Sequence, residues 1–271
     1  MATGMPVIGV IGRNSERSLP GDGAANAHPD FVEVQGGVPR VINNILKDAG
    51  TAPITVPPFT EDYMVDHYMG MMQGLVFFGG SDLHPTRSGI RAQDQTERLG
   101  MDYDDPRDVA EIKYMQAAMR WGMPVLAFCR GSQIMNVAAG GTLRVIDHLT
   151  APNLDPADPN NHLWYDHPHG VYAHGHPVNI RFDGSDFANT LATAVGGKTI
   201  RHMSSAHHHA IDELGSGLAV VGVSPGLDPV TEIIADESGS RVGFQGVVHV
   251  ESGACAAASV RASKTSTASV S

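Results

Sequence analysis

The sequence predicts an α/β fold with a mostly parallel central sheet and some antiparallel strands in its C-terminal half. Three observations predict it. Short apolar, β-branched runs without alternation recur (PVIGVI, GLVFF, VLAF), as in strands buried on both faces. Stretches with helical spacing lie between them, and strands alternating with helices imply right-handed crossovers and a parallel sheet. In the second half the runs are linked by turns instead, which suits antiparallel pairs.

In chain order, Pro6 to Ile11 reads as the first buried strand. Val38 to Ala49 reads as a helix, with Val38, Val41, Ile42, Ile45 and Leu46 at helical spacing and Gly50 closing it. Ile54 to Val56 is a strand ending at Pro57 and Pro58, and Glu61 to Met72 is a helix. Gly74 to Phe78 is a strand running into Gly79-Gly80-Ser81. Arg107 to Trp121 is a helix expected to bury Val109, Ile112, Met115 and Met119, and Gly122 closes it. Val125 to Phe128 is a strand, and Ser132 to Ala139 is the helix after it. Further strands are expected at His176 to Phe182, Leu218 to Val223 and Val230 to Ala235. Ala151 to His176, rich in Pro, Asn, Asp and His, reads as a long surface loop of the kind that shapes a substrate mouth. Residues 252–271, dominated by Ala, Ser, Thr and Val without period, read as a disordered tail beyond one domain spanning 1–251.

With 271 residues, 42% hydrophobic and 17% charged, the chain can bury a sizeable core. Its net charge of −11 repels phosphate backbones and anionic lipid, so neither nucleic acid nor membrane is an expected partner. Two cysteines, Cys129 and Cys255, make no disulfide framework and suit a reducing compartment. The start MATGMPVIGVIG has no basic region before its apolar run, so it does not read as a signal peptide. No apolar stretch approaches the ~20 residues of a spanning helix. The expected location is the cytoplasm.

Cys129 sits where a buried strand meets a turn and then a helix. Ala127 two residues before it and Gly131 two after it are small. That is the pattern of a nucleophile elbow, with the side chain exposed at a strained turn. The following helix would aim backbone N–H groups and its positive end at the sulfur, favouring thiolate. The Arg130 N–H would face a developing oxyanion. A small buried core cysteine fits the same local pattern, which leaves both readings open.

The segment GMPVLAFCRGSQIMNVAAGGTL resembles the nucleophile segment of class I glutamine amidotransferase-like hydrolases, above all the γ-glutamyl-γ-aminobutyrate hydrolases of peptidase family C26. PVIGVIGRN, GLVFFGGSDLHP, DPRDVAEI, SSAHHHAIDELGSGLAV and HVE fit the same family in the same order. The resemblance implies a flavodoxin-like three-layer sandwich and a Cys-His-Glu triad that needs no cofactor and no metal. Carried over, Cys129 is the nucleophile, His249 the base and acid, and Glu251 the residue that orients His249. Residues two apart on a strand share a face, which suits that pair. The resemblance further implies a second oxyanion N–H from Gly80, contact of Gln133 with a glutamyl head group, and a pocket wall at Ser205, His207 and His208. The implied substrate is a small γ-glutamyl amide such as γ-glutamyl-γ-aminobutyrate, as in polyamine and putrescine breakdown. A glutaminase subunit feeding ammonia to a synthetase, or a catalytically impaired γ-glutamyl-binding protein, are the alternatives. A homodimer is left open.

Other candidates have plainer readings. His207-His208-His209 matches no zinc spacing. His167, His169, His174 and His176 read as solvated loop residues. Arg107, Asp108 and Glu111 have the spacing of helix-surface ion pairs. Arg130 could clamp a substrate carboxylate or brace its own loop. Cys255 reads as inert. The segment GFQGVVHVES departs from the family's Gly-Val-Gln-aromatic-His-Pro-Glu by two extra residues, Val247 and Val248. A strand pinned at Gln245 would displace His249 by ~6.6 Å. Pinning at His249, the expectation here, would push the extra length into the turn ADESGSR, where insertions cost little.

Overall fold

The structure, a computed structural model, describes residues 4–11, 33–34, 38–90, 105–146, 176–181, 186–204, 207, 209–225 and 229–248. Its core is a sheet of short strands. β1 is Val7–Ile11, β4 Ala52–Val56, β5 Gly74–Phe77, β6 Val125–Phe128 and β13 Arg241–Phe244. These five are parallel neighbours in the order β4-β1-β5-β6-β13. On the other side of β13 the sheet is antiparallel: β12 (Thr231–Asp236), β11 (Leu218–Val223), β8 (His176–Ile180), β9 (Thr199–Ser204) and β14 (Val247–Val248). Two small pairs stand apart, β2 (Glu33–Val34) with β3 (Val38–Pro39), and β7 (Leu143–Val145) with β10 (His209–Ile211).

Both faces of the parallel half are apolar because successive side chains alternate. Ile11, Leu75, Phe77, Val125 and Ala127 point to one face, with Val65 and Met69 of helix α2 (Asp62–Met69). Tyr114 and Met115 of α4 (Asp105–Trp121) and Ile134 and Met135 of α5 (Arg130–Ala138) join the same cluster. Val10, Val76 and Phe78 point to the other face, where Leu46 of α1 (Arg40–Asp48) covers them. Phe187, Ala188 and Leu191 of α6 (Asp186–Val195) pack on the antiparallel half, with Leu126 and Phe128 common to both clusters on this face. Helices thus lie on both sides of the sheet, giving the three layers expected. A single turn, α3 (Pro85–Ser88), follows β5.

The antiparallel half cannot be flat. Phe244 and Val247 are three Cα steps apart, at most ~11 Å, yet β14 pairs with β9, four strands away from β13. With β14 beyond β9, five strand spacings from β13, a flat sheet would put ~24 Å between them. The strands from β13 to β9 therefore curl, and the stretch from Arg241 to Val248 closes the curl.

Several boundaries differ from expectation. Helix α5 begins at Arg130, two residues earlier than the apolar period suggests, because the turn at Cys129 already has helical bonds leading from its carbonyl. Helix α4 buries Arg107, Asp108, Ala110, Glu111, Tyr114, Met115, Ala117 and Ala118. Val109, Ile112 and Met119 flank that face half-buried. The strand expected from His176 is β8, which His176 opens, and its side chain is buried rather than solvated. His167, His169, His174 and Cys255 lie outside the described residues, as does the 252–271 segment.

Candidate functional site

Strand β6 lies between β5 and β13, and at its carboxyl end the chain turns sharply at Cys129, with φ 50° and ψ −114°. Among the described residues it is the one non-glycine residue with positive φ, a conformation that costs roughly 1–3 kcal/mol. Its surroundings enforce that turn. The Cys129 N–H donates to the Phe244 carbonyl at 2.6 Å, and the Cys129 carbonyl accepts from the N–H groups of Ser132 (2.9 Å) and Gln133 (3.3 Å). Behind the turn, α5 presses onto the sheet. A Cβ at Gly131 would lie 2.7 Å from the Phe77 Cβ and 2.8 Å from its carbonyl oxygen, and one at Gly243 would lie 2.7 Å from the Ser132 hydroxyl. Only glycine permits such approach. The thiol is half-buried, at the positive end of α5.

The loop after β5 passes directly beside the sulfur. A Cβ at Gly79 would stand 3.5 Å from the Cys129 Cβ and 3.7 Å from Sγ. At Gly80 a Cβ would overlap the Arg107 guanidinium. Among the described residues the Gly80 N–H makes no backbone hydrogen bond.

Arg107, Asp108 and Glu111 are not a surface ladder. All three are at most 2% exposed. Arg107 Nε donates to Glu111 Oε1 at 2.7 Å. Arg130, itself 1% exposed, reaches back from α5 and pairs with Glu111 through Nη1 and Asp108 through Nη2. Two positive and two negative side chains thus form a buried, balanced cluster between α4 and α5. Of the two roles open to Arg130, the structure supports bracing. Burial pushes the Asp108 carboxyl above the ordinary carboxylate range, although Arg130 and the His84 N–H (2.7 Å) pull it down.

A second polar group lines the same rim. Gln133, in the first turn of α5, donates through Nε2 to the His209 carbonyl (3.2 Å) and to Gln245 Oε1 (3.4 Å). Gln245 follows β13 and is held by its own N–H on the Glu232 carbonyl (2.8 Å). His249, the anchor expected for this strand, lies outside the described residues. Glu232 is fully buried, with His176 Nε2 at 3.5 Å and His207 Nε2 at 3.6 Å from its carboxylate oxygens. His207 Nδ1 lies 2.9 Å from the His209 carbonyl, and His209 Nδ1 lies 3.2 Å from Asp82 Oδ1.

The structure therefore gathers Cys129, Gly80, Arg130 and Gln133 at one rim, with His207 joined to Gln133 through the His209 carbonyl. Gln133 directs its amide donor inward. Ser205, His208, His249 and Glu251 lie outside the described residues. Sequence reasoning missed Glu232, Asp82, His176 and Gln245 as members of this rim. Glu232 had a signal: it is the one charge inside the apolar run VTEIIA. Among the described residues no group of three or more His, Cys, Asp or Glu is placed to hold a metal ion.

The family profile described as Peptidase C26 matches residues 6–249. The chain belongs to the Peptidase C26 family. A relative from Mycobacterium tuberculosis, named "Putative glutamine amidotransferase Rv2859c", is 31% identical over 69% of this chain and 53% of its own. The chain thus spans about half the length of that relative. A Lactococcus lactis relative, named "Putative glutamine amidotransferase-like protein YvdE", is 27% identical over 72% of each chain. Among solved structures, the glutaminase domain of Trypanosoma brucei CTPS with bound acivicin superposes with a TM-score of 0.57 over 97% of this chain and 94% of that one, at 10% identity. A "putative gmp synthase subunit a protein" from Thermoplasma acidophilum gives 0.54 over 97% and 96%, at 13% identity. These two likenesses establish the flavodoxin-like fold. No helix among the described residues is long and apolar enough to cross a membrane.

Proposed function

We propose that this family member is a cysteine-dependent hydrolase of γ-glutamyl amides. The observation that carries the reading is the elbow: a half-buried thiol on a strained turn, at a helix start, with Gly79 against its sulfur. In the proposed reaction the Cys129 thiolate attacks the γ-carbonyl of the substrate. The resulting oxyanion is held by the N–H groups of Gly80 and Arg130. His249, oriented by Glu251, gives a proton to the leaving amine as the C–N bond breaks. The γ-glutamyl thioester remains on Cys129. His249 then takes a proton from water, which attacks the thioester and releases glutamate and the free thiol. Gln133, Ser205, His207 and His208 form the wall that receives the glutamyl head group. γ-Glutamyl-γ-aminobutyrate and related γ-glutamyl amines are the proposed substrates, in a cytoplasmic setting.

The names of the relatives favour a second reading, a glutaminase that releases ammonia for a separate synthetase. One screen separates the two. Purified protein and Cys129→Ala are incubated with glutamine, γ-glutamyl-γ-aminobutyrate and other γ-glutamyl amines, and free amine is measured. Hydrolysis of the larger amides by wild type alone supports the first reading, and glutamine alone supports the second. Full turnover by Cys129→Ala ends both.

A further inference from the structure

The two proposed oxyanion donors come from different elements, the loop after β5 and the start of α5. Their spacing must hold to a fraction of an ångström for both to reach one oxygen. Each is joined to the same carboxylate. On one side, Arg107 packs its guanidinium against the Gly80 Cα, with Cζ 3.2 Å from where a Cβ would be. Its Nη2 lies 3.5 Å from the Gly79 carbonyl. Its Cζ lies 5.9 Å from the centre of the Phe78 ring. Its Nε donates to Glu111 Oε1. On the other side, Glu111 Oε2 pairs with Arg130, the residue whose N–H is the second donor. Asp108 completes the pairing of Arg130 and also accepts the His84 N–H, four residues beyond Gly80 on the same loop.

The geometry points to Glu111 as the positioning residue of the oxyanion hole: one buried carboxylate that spans two guanidiniums and so sets the separation of the Gly80 loop and the Arg130 turn. This rests on the hydrolase reading above. Glu111 touches neither thiol nor substrate. Its effect is therefore confined to states that carry charge on the carbonyl oxygen, and simple alkylation of the sulfur should not sense it. A buried cluster could instead be retained for stability alone, so the test must separate the two roles.

Three measurements do so, on folded protein well below its Tm. They are amide hydrolysis, inhibition by an aldehyde analogue of the γ-glutamyl group, and alkylation by iodoacetamide. The aldehyde adds to Cys129 as a thiohemiacetal, with the thiol adding across C=O and its oxygen seated where the oxyanion forms. Iodoacetamide forms an S–C bond by displacing iodide and makes no oxyanion. Glu111→Gln should lower kcat by about 10–100-fold with KM within threefold, less than the roughly 10²–10³-fold loss when an oxyanion donor is removed outright, because both donors are kept and only their spacing is loosened. Aldehyde affinity should fall by a similar factor, and the alkylation rate should stay within threefold. Arg107→Lys, which keeps the charge but not the fork, should show the same pattern and serves if Glu111→Gln does not fold. A folded variant with unchanged kcat and aldehyde affinity, or with alkylation lost in step with kcat, overturns the positioning role alone. A wild type that hydrolyses no γ-glutamyl amide overturns the hydrolase reading itself, and this role with it.

Discussion

Gly131→Ala tests how tightly the elbow is held. The added Cβ would meet the Phe77 Cβ at 2.7 Å, its carbonyl oxygen at 2.8 Å and its carbonyl carbon at 2.9 Å. Two of those three atoms are backbone of a central strand, so rotamer change cannot relieve the contact. Relaxed carbon–carbon contact needs roughly 3.5–4.0 Å, so α5 must lift from β5 by on the order of 1 Å. Overpacking of this kind costs about 1–3 kcal/mol. At roughly 2–4 °C per kcal/mol for a chain near this size, Tm should fall by about 4–8 °C for a mid-range cost. The displaced element is the one whose first N–H groups bind the Cys129 carbonyl. A misplacement of ~1 Å at a reacting group costs on the order of 10²-fold in rate, so amide hydrolysis should drop by about that factor. Gly197→Ala is the matched control, since a Cβ there meets nothing within 4 Å, and it should leave Tm and rate unchanged. Thermal unfolding by circular dichroism and initial rates at saturating substrate suffice. Gly131→Ala with wild-type Tm and rate would refute the claim that this contact sets the turn.

Two further outcomes are expected. The backbone at Cys129 lies in a region that glycine enters freely, so Cys129→Gly should raise Tm by a few degrees while abolishing hydrolysis, and Cys129→Ala should abolish hydrolysis without that gain; equal Tm values would show that the turn stores no strain. Asp108 has its pKa raised by burial, so its stabilising contribution is complete below the ordinary carboxylate range and is lost as pH rises through the raised value. The stability of wild type relative to Asp108→Asn, followed by urea unfolding from about pH 4 upward, should therefore decline with pH and then level off; a difference that grows with pH would contradict the burial argument.

The parallel half was legible because its signals are local. The strand VLAF, the small residues around Cys129 and the glycines after GLVFF each need only a few neighbours to be read. Helix α4 shows where that fails. Its apolar residues Val109, Ile112 and Met119 suggested one face, but Arg107, Asp108 and Glu111 are buried because Arg130 closes their charge balance from another helix. Nothing in the helix itself announces a partner nineteen residues beyond Glu111. His176 looked like its loop neighbours, yet its burial follows from Glu232 on β12, a long-range pairing. The pair β7–β10 joins residues more than sixty positions apart, three residues to a strand, too short for any period to show. Helix α6 was missed as well, although Phe187, Ala188 and Leu191 carry helical spacing. At the site, Cys129 and Arg130 came from the local elbow pattern and Gly80 and Gln133 from motif resemblance, whereas the ties of Asp108 and Glu111 to Arg130 emerged only once α4 and α5 were side by side.

The closed curl of the antiparallel half has a bearing on solubility. A half-sheet that curls back until its last strand, β14, is only two residues long offers little terminal row of unpaired amides to another molecule. Among the described residues the sheet ends in β14, two residues long, on one side and in the five-residue β4 on the other. Pro53 sits within it, paired in register with Ile8, and a proline there withholds one of the donors an incoming chain would need. Growth of fibrils by addition of strands at β4 is thereby disfavoured.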